Sequence, residues 1–260
     1  MELNKSIIGM VHVAALPGTP RNSAGITEIV DAALLDAELL AEGGVDAIMI
    51  ENMHDRPYLN RIAGPEIVSA MTAVAVELRR NIKLPLGIQL LAGANKAALA
   101  VALAAGFEFI RAEGFAFGHL ADEGWMNSDA GELLRYRKQI GAEHIKIFTD
   151  IKKKHASHAV SADVSIADTA KAAEFFLSDG VIITGTATGE KALVEEVKAV
   201  KLSVKIPVIV GSGIDERNIH EYWDMADAFI VGSSMKEHGK WENPVDLNRA
   251  RELVRAVKNI

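Results

Sequence analysis

The chain has 260 residues, 49% of them hydrophobic, and 28 Lys+Arg stand against 35 Asp+Glu for a formal net charge of −7. This composition is typical of a globular protein with ample chain for a large core, and it excludes a fibre or a disordered tail. The acidic balance, without any block of five or six like charges, argues against nucleic acid or an anionic membrane surface as a partner.

The sequence contains no cysteine, which excludes disulfides, thiolate metal sites and a cysteine nucleophile. Apolar runs are interrupted by charge or glycine well before the about 18 residues that a membrane span needs. The first residues, Met1-Glu2-Leu3-Asn4-Lys5, lack the apolar stretch of a signal peptide. We therefore expect no membrane span and a cytoplasmic protein.

Short β-branched apolar runs alternate along the chain with longer Ala/Leu/Glu-rich stretches of helical period. The runs predict strands over residues 7–12, 46–51, 86–90, 109–113, 144–150, 180–184, 208–211 and 228–232. The stretches between and after them predict helices over residues 26–42, 65–81, 96–105, 132–140, 166–177, 191–201, 218–223 and 247–257.

Eight strand–helix units of about 32 residues each are the size of a (β/α)8 barrel, the TIM-barrel fold. No linker divides the chain, so we expect one barrel domain over residues 1–260. The alternative is an open doubly wound sheet, but no G-x-G-x-x-G fingerprint follows the first strand. The strand count favours the barrel.

Active sites of such barrels form at the carboxyl ends of the strands. The residues at these ends are mostly polar or glycine, and two loops at this end, residues 114–131 and 151–164, are long enough to be lids. The candidate residues at these ends include His12, Glu51, Asn52, Gln89, Arg111, Glu113, Asp150, Gly185, Thr186, Gly211, Ser212, Gly213, Gly232, Ser233 and Ser234.

The seventh and eighth strands both end in a glycine–serine turn, Gly211-Ser212-Gly213 and Gly232-Ser233-Ser234. Glycine lets backbone N–H groups approach an anion, and barrels often hold phosphate after these two strands. We expect a phosphorylated small molecule here, with Gly185 and Thr186 as further contacts. The alternative is that these glycines only turn the chain.

Alternation along the strands places Glu51, Glu113 and Asp150 at the barrel mouth with Gln89, Arg111 and Lys146. Neighbouring carboxylates raise each other's pKa and cations lower it, so such a group could supply a proton donor and an acceptor. The alternative is an ion-pair layer that fills the barrel, which we favour for Arg111 and Lys146.

His12 at the end of the first strand could be a base, a metal ligand or a hydrogen-bond donor, or could only cap its strand. Lys154 and His155 follow the fifth strand and could complement a phosphate or an enolate. Oxygen and nitrogen ligands for a divalent metal are present, although no metal-binding spacing appears. The three tryptophans are too scattered to predict a stacking platform.

In order, several segments resemble the BtpA family and its relatives of the SgcQ type. They are Ile8-Gly9-Met10-Val11-His12, Leu16-Pro17-Gly18-Thr19-Pro20, Gly44-Val45-Asp46-Ala47-Ile48-Met49-Ile50-Glu51-Asn52, Gly64-Pro65-Glu66, Gly87-Ile88-Gln89-Leu90-Leu91, Lys154-His155-Ala156, Thr184-Gly185-Thr186-Ala187-Thr188-Gly189 and Pro207-Val208-Ile209-Val210-Gly211-Ser212-Gly213. Ala92-Gly93-Ala94-Asn95 and Ala112-Glu113-Gly114-Phe115 depart from the phototroph pattern and resemble the non-photosynthetic branch.

The resemblance implies a barrel of the ribulose-phosphate-binding type. Two functions follow as hypotheses. The first is an enzyme, an isomerase, epimerase or lyase that transfers protons on a phosphorylated small molecule such as a sugar phosphate. The second is a non-catalytic assembly or stability factor with an apolar partner-binding patch outside the barrel, as the photosystem I association of phototroph members implies. Barrels often associate through their outer helices, so a homo-oligomer is also expected.

Overall fold

Strands and helices alternate in the computed structural model, which describes residues 3–185 and 190–258. Its strands are β1 (Ser6–His12), β2 (Ala47–Glu51), β3 (Leu86–Gln89), β4 (Phe109–Ala112), β5 (His119–Ala121), β6 (Gly124–Met126), β7 (Lys146–Asp150), β8 (Ala156–Ser157), β9 (Gly180–Ile183), β10 (Val208–Val210) and β11 (Ala228–Val231). Its α-helices are α1 (Ile26–Gly43), α2 (Pro65–Asn81), α3 (Asn95–Ala105), α4 (Ala130–Gln139), α5 (Ile166–Phe175), α6 (Val194–Lys201) and α7 (Leu247–Lys258).

Within those described ranges, eight parallel strands close into a barrel in the order β1-β11-β10-β9-β7-β4-β3-β2. Closure is direct, because β1 pairs with β2 on one side and with β11 on the other. The predicted (β/α)8 fold is therefore confirmed, and the open sheet is wrong. The helix predicted over residues 218–223 is a short 3-10 turn, Ile219–Tyr222.

Local sequence sets the helix limits. Pro65 occupies the first turn of α2, where its missing N–H removes no hydrogen bond. Gly44 and Gly106 follow α1 and α3 in the left-handed conformation, with φ of 90° and 71°, and end these helices just before a strand. None of the helices in the described part of the chain is both long and apolar enough to cross a membrane.

Two apolar layers share the barrel wall. One layer packs between the strands and the surrounding helices. The other fills the barrel interior and includes Met10, Met49, Phe109, Phe148 and Ile182. Side chains alternate along each strand, so every barrel strand except β3 contributes apolar residues to both layers.

Two phenyl rings, those of Phe109 and Phe148, pack 5.6 Å apart inside the barrel. Glycine makes room for both. A Cβ on Gly87 would lie 2.1 Å from the Phe109 ring, and one on Gly180 would lie 2.9 Å from that of Phe148. The rings help to fill the interior, and Met10 and Ile230 of the same layer form part of the floor of a cavity at the carboxyl ends of the strands.

The long loops after β4 and β7 are not structureless. In the described residues, β5 and β6 form a hairpin in the first loop, and β8 of the second loop pairs with β5. Leu120 lies opposite Ser157, and Ala121 lies opposite Ala156. These short strands escaped the sequence analysis because two or three residues show no period. Together they form a small antiparallel sheet over one side of the mouth.

Lys146 does not lie at the mouth. It begins β7, at the opposite end of the barrel, and its Nζ pairs with Asp179 at 3.0 Å. Alternation along the strand says which face a residue shares but not how far along the barrel axis it lies. The prediction that Lys146 joins the polar group at the mouth is therefore wrong, and the ion-pair alternative describes it.

Candidate functional site

The polar layer at the barrel mouth surrounds a cavity with two lobes. The glycine–serine lobe, of about 530 Å³, is bounded by residues 211–214 and 232–234. The aromatic lobe, of about 620 Å³, is bounded by Tyr58, Leu91 and Glu113. Both lobes share the side chains at their junction, namely those of Glu51, Met53, Arg111, Lys154 and Trp241. A single ligand could therefore contact both.

His12 ends β1 with its ring fixed in the cavity wall. Its Nδ1 lies 2.9 Å from the carbonyl oxygen of Trp241. A carbonyl oxygen can only accept, so Nδ1 carries the proton and Nε2 offers a lone pair. Burial lowers the pKa of His12 to about 3, with a smaller contribution from the charge of Lys236. The ring is thus a neutral hydrogen-bond acceptor at physiological pH.

Glu51 ends β2 beside His12, with Oε2 at 4.0 Å from His12 Nε2. Burial raises the pKa of Glu51, against the opposing charges of Arg111 and Lys154. The two groups are not an ion pair, because burial favours the uncharged form of each. A carboxylate with a raised pKa is a stronger base than an exposed one, which suits it to proton transfer.

Arg111 and Asp150 form a buried ion pair across the ends of β4 and β7. Arg111 Nε and Nη2 donate to the two carboxylate oxygens of Asp150, each at 2.9 Å. Burial lowers the pKa of Arg111, but Asp150 more than offsets this, so the guanidinium stays charged. Each oxygen of Asp150 thus accepts from Arg111, and Asp150 lines neither lobe, so the structure favours a role in holding Arg111 over the predicted proton transfer. Arg111 itself lines both lobes.

Lys154 lies at the junction of the lobes. Burial lowers the pKa of its amine, as does the charge of Arg111, whereas Glu51 and Asp150 oppose this shift. An amine with a lowered pKa can exchange a proton more readily than an ordinary lysine. Lys154 and Glu51 thus bring a base and an acid to one point of the cavity, and the pKa of each is shifted in the direction that favours its uncharged form.

Lys153 is a functional candidate that the sequence analysis missed. Its Nζ lies 3.4 Å from Glu113 and 3.6 Å from Glu123, which come from the loop after β4. Burial lowers the pKa of Lys153, but the two carboxylates more than offset this. Burial raises the pKa of Glu113 despite Lys153. Glu113 is thus held in the wall of the aromatic lobe by a charged clamp between the two loops.

The glycine–serine turns after β10 and β11 lie side by side, because these strands are neighbours. Ser234 Oγ donates to the carbonyl oxygen of Ile214 at 2.7 Å and joins the two turns. A Cβ on Gly232 would lie 3.3 Å from Cε1 and 3.4 Å from Nε2 of His12. Glycine at this position lets the second turn lie directly against the His12 ring.

Ser212, Gly213 and Ser233 line the glycine–serine lobe, as predicted from the turns. Gln89 and His155 line the aromatic lobe. The exposed His155 lies in the second long loop, with φ of 54°. The polar residues of the predicted site are thus divided between the lobes: His12 lines the glycine–serine lobe, and Glu51 and Lys154 lie where the two lobes meet.

Two predicted ligand-binding residues do not lie on the cavity wall. Asn52 is buried, and its amide donates to Asp55 and accepts from the N–H of Leu91, both at 2.8 Å. It joins the ends of β2 and β3 and has a structural role. Gly185 packs against the backbone of Glu190 instead. Thr186 lies outside the residues that the structure describes.

An aromatic and basic cluster at the mouth was also missed. Trp241 packs against His54, with ring centroids 5.0 Å apart, and the Arg56 guanidinium lies 4.7 Å from the Trp241 ring centroid. Trp241 lies in the loop after β11 and Arg56 in the loop after β2, so only the closed barrel brings them together. Position after a strand was the only signal that could have found them.

Metal ligands do not converge in the same way. Among residues 3–185 and 190–258, no three His, Asp or Glu side chains lie where they could hold a metal ion. The nearest approach described above is that of His12 and Glu51, which supplies two ligands at most. The divalent metal considered from the sequence thus gains no support from the site geometry.

Solved structures of two barrel enzymes are similar to this chain in fold. N-(5′-phosphoribosyl)anthranilate isomerase from Pyrococcus furiosus aligns with a TM-score of 0.60 and 14% identity, covering 99% of this chain and 100% of its own. Thiamine phosphate pyrophosphorylase from the same organism aligns with a TM-score of 0.59 and 16% identity, covering 98% and 96%. At such identities the likeness establishes the fold alone.

Sequence relatives identify the family. An uncharacterized mitochondrial protein of Caenorhabditis elegans is 47% identical, covering 98% of this chain and 93% of the relative. The photosystem I biogenesis protein BtpA of Synechocystis is 34% identical, covering 98% and 89%. The model of the BtpA family matches residues 3–259, which confirms the resemblance seen in the sequence. The chain belongs to the BtpA family.

Proposed function

We propose that the protein is an enzyme that transfers protons on a phosphorylated small molecule, in an isomerase, epimerase or lyase reaction. The observation that carries this proposal is the content of one cavity. Two glycine–serine turns and His12 line one lobe, and Glu51 and Lys154 lie at its junction with the other. Anion-binding turns next to ionisable groups of shifted pKa are the parts that such a reaction needs.

The phosphate is assigned to the glycine–serine lobe. Backbone N–H groups of glycine-rich turns suit an anion, and turns after the last two strands are a common phosphate position in these barrels. Arg249, whose Nε donates to the carbonyl oxygen of Ser234 at 2.8 Å, brings a positive charge to this lobe. The two similar barrels act on phosphorylated compounds by name, which agrees with the assignment.

The remaining groups divide the proton chemistry. Glu51 takes a proton from carbon or returns it, because burial raises its pKa and makes the carboxylate a stronger base than an exposed one. Lys154 exchanges the second proton, on the oxygen or nitrogen where charge develops. His12 Nε2 accepts a hydrogen bond from a substrate hydroxyl and orients it. Arg111, held by Asp150, supplies a fixed positive charge beside the developing anion.

The test follows solvent deuterium rather than a chosen product. The protein is incubated in D₂O with a panel of sugar phosphates, and NMR records deuterium entering carbon positions. We expect exchange with at least one compound, a loss of at least about 100-fold in Glu51→Gln and Lys154→Met, and unchanged exchange in Glu77→Gln. Glu77 is a matched control, since it lies on the exposed side of α2. Full exchange in folded Glu51→Gln would refute the assignment of Glu51.

A second function has one specific observation in its favour. Phe175, Leu177 and Leu202 expose 81%, 68% and 80% of their surface at the carboxyl ends of α5 and α6. Glu174 accepts from the N–H groups of Lys205 and Ile206, which draws these two ends together. Apolar exposure of this kind is typical of a protein contact, and a Synechocystis relative is named for photosystem I biogenesis.

A non-catalytic assembly factor would depend on that patch and not on the cavity. Two strains separate the functions: one carries the double variant Phe175→Ser with Leu202→Ser in place of the native gene, and the other carries Glu51→Gln. If only the double variant fails to support the native growth of the cells, and it also loses a reproducible co-purifying protein, the assembly function is favoured. Loss of native growth only with Glu51→Gln would favour the enzyme.

A further inference from the structure

The aromatic lobe is not used by the proposed function, which places the phosphate in the glycine–serine lobe and the reacting atoms at the junction. It extends from Glu51, Arg111 and Lys154 away from the glycine–serine turns, and its volume of about 620 Å³ lies within the range of complete small-molecule sites. A compound anchored by its phosphate and reacting at the junction would therefore leave this lobe filled with water unless a further group occupied it.

Gln89 gives this lobe a specific hydrogen-bonding requirement. The residue ends β3, is 1% exposed, and lines the lobe. Its Oε1 is buried without a hydrogen-bond partner among the described residues. A buried amide oxygen without a donor is costly, so this atom points to a ligand N–H or O–H.

The rest of the wall favours a flat ring. Trp241 and Tyr58 line the lobe together with Leu91. The hydroxyl of Tyr58 already donates to the carbonyl oxygen of Met53 at 2.7 Å, so its aromatic ring is the part that can contact a ligand. Aromatic faces of this kind bind planar groups by stacking.

The charged side chains of this lobe carry both signs. In the described part of the chain, its wall holds four carboxylates, those of Glu51, Glu113, Asp122 and Glu123, and five lysine or arginine groups, those of Arg21, Arg56, Arg111, Lys153 and Lys154. Lys153 is already paired with Glu113 at 3.4 Å and with Glu123 at 3.6 Å. A neutral ring that carries a hydrogen-bond donor is compatible with this mixed charge and satisfies the Gln89 oxygen, which an anion without a proton to donate does not.

We infer that the ligand is a phosphorylated pentose bearing a planar nitrogen heterocycle, and that this ring occupies the aromatic lobe with an N–H donor on Gln89 Oε1. The inference rests on the proposed function, since it uses the phosphate anchor to place the ring. Gln89 would then determine specificity, and the ligand would resemble a nucleoside monophosphate more than a simple sugar phosphate.

The test compares affinities on the intact chain. Isothermal titration measures the dissociation constants of inorganic phosphate, ribose 5-phosphate and the four common ribonucleoside 5′-monophosphates. We expect at least one nucleotide to bind tenfold or more tightly than ribose 5-phosphate. In Gln89→Met, which removes the acceptor at similar volume, that advantage should fall below threefold while ribose 5-phosphate binds within twofold of its native affinity.

A second variant covers the case in which Gln89→Met does not fold. Leu91→Trp places an indole in the partly buried wall of the aromatic lobe and leaves the glycine–serine turns unchanged. It should abolish the nucleotide advantage and keep the affinity for ribose 5-phosphate.

The outcomes separate this inference from the proposed function. Binding of ribose 5-phosphate with no nucleotide bound more tightly would overturn the ring and leave the phosphate anchor in place. A nucleotide advantage that survives in folded Gln89→Met and Leu91→Trp would overturn the assignment to this lobe. Failure of phosphate, ribose 5-phosphate and every nucleotide to bind would overturn the proposed function itself.

Discussion

His12 donates its Nδ1 proton to the carbonyl oxygen of Trp241 at 2.9 Å, which joins the end of β1 to the loop after β11. The hydrogen bond fixes the tautomer of the ring and aims Nε2 into the cavity. Because a backbone atom accepts the bond, changes of the Trp241 side chain leave the acceptor in place. The orientation of His12 therefore depends on the loop conformation.

Burial of neutral His12 predicts a measurable loss of stability in mild acid. Its pKa is about 3 in the folded protein against 6.5 for an exposed histidine, so the unfolded chain binds more protons between these limits. Stability from this group is complete above pH 6.5 and declines as the pH falls, by about 1.4 kcal/mol per unit. Between pH 7.5 and 5.0, the free energy of unfolding of the native protein should fall by roughly 2 kcal/mol more than that of His12→Gln.

Urea unfolding at the two pH values measures this difference. His119→Gln is an informative comparison, because burial also lowers the pKa of His119, to about 4, outside the cavity junction. Equal pH dependence in native protein and His12→Gln would contradict a neutral, buried His12.

Glu51→Gln should stabilise the fold while it removes proton transfer. Burial raises the pKa of Glu51 above 4.5, so the ionised carboxylate is less stable in the folded protein than in the unfolded chain. That disadvantage is absent below pH 4.5 and grows as the pH rises through the folded pKa. The amide, which cannot ionise, should gain about 1 kcal/mol at pH 7.5 and almost nothing at pH 4.

Thermal or urea unfolding of Glu51→Gln beside Glu77→Gln tests this expectation, since Glu77 lies on an exposed helix face. A Glu51→Gln protein less stable than native at pH 7.5 would show that the carboxylate has a structural role in its charged form.

Arg111→Met should be strongly destabilising because it leaves Asp150 buried without its partner. Side-chain exposure in this pair is 5% and 1%, and removal of one member of such a pair costs about 3–5 kcal/mol. The double variant Arg111→Met with Asp150→Leu should recover most of that loss.

The exposed pair Lys171 and Asp168 supplies the comparison, with side chains 57% and 56% exposed. Lys171→Met should change the free energy of unfolding by no more than about 0.5 kcal/mol. A double variant no more stable than Arg111→Met would mean that Asp150 has other essential contacts.

Gly232→Ala tests the contact between the second glycine–serine turn and His12. The added methyl group would lie 3.3 Å from the His12 ring, so either the ring or the turn must shift. We expect inorganic phosphate to bind about tenfold more weakly, which corresponds to about 1.4 kcal/mol. Gly131→Ala, on the exposed side of α4, should bind phosphate normally. Native phosphate affinity in Gly232→Ala would remove this turn from the anion site.

The barrel was predictable from the sequence because its strands and helices have strong periods. Where local sequence ends an element, as Gly44 and Gly106 do, the predicted boundaries differ from the observed ones by no more than a residue or two. The short strands β5, β6 and β8 were not predictable, because two or three residues show no period and β8 exists only through its pairing with β5 of a loop distant in sequence.

The site was predictable only to the level of which residue ends each strand. His12 and Glu51 lie beside each other because β1 and β2 are paired in register. Which way each lysine after β7 points was not predictable. Lys153 faces two carboxylates, and Lys154 faces the cavity junction. That choice depends on the loop backbone, which has positive φ at Lys152 and His155.

Pairing of β5 with β8 makes two loops behave as one body. Residues 119–121 and 156–157 share hydrogen bonds, and Lys153 adds ion pairs to Glu113 and Glu123 across the same seam. Neither loop can move away alone without breaking these contacts. The side of the aromatic lobe that they cover therefore opens only when both loops move. Amide protons in both segments should therefore exchange with solvent at one common rate, and a ligand held beneath them leaves no faster than that opening allows.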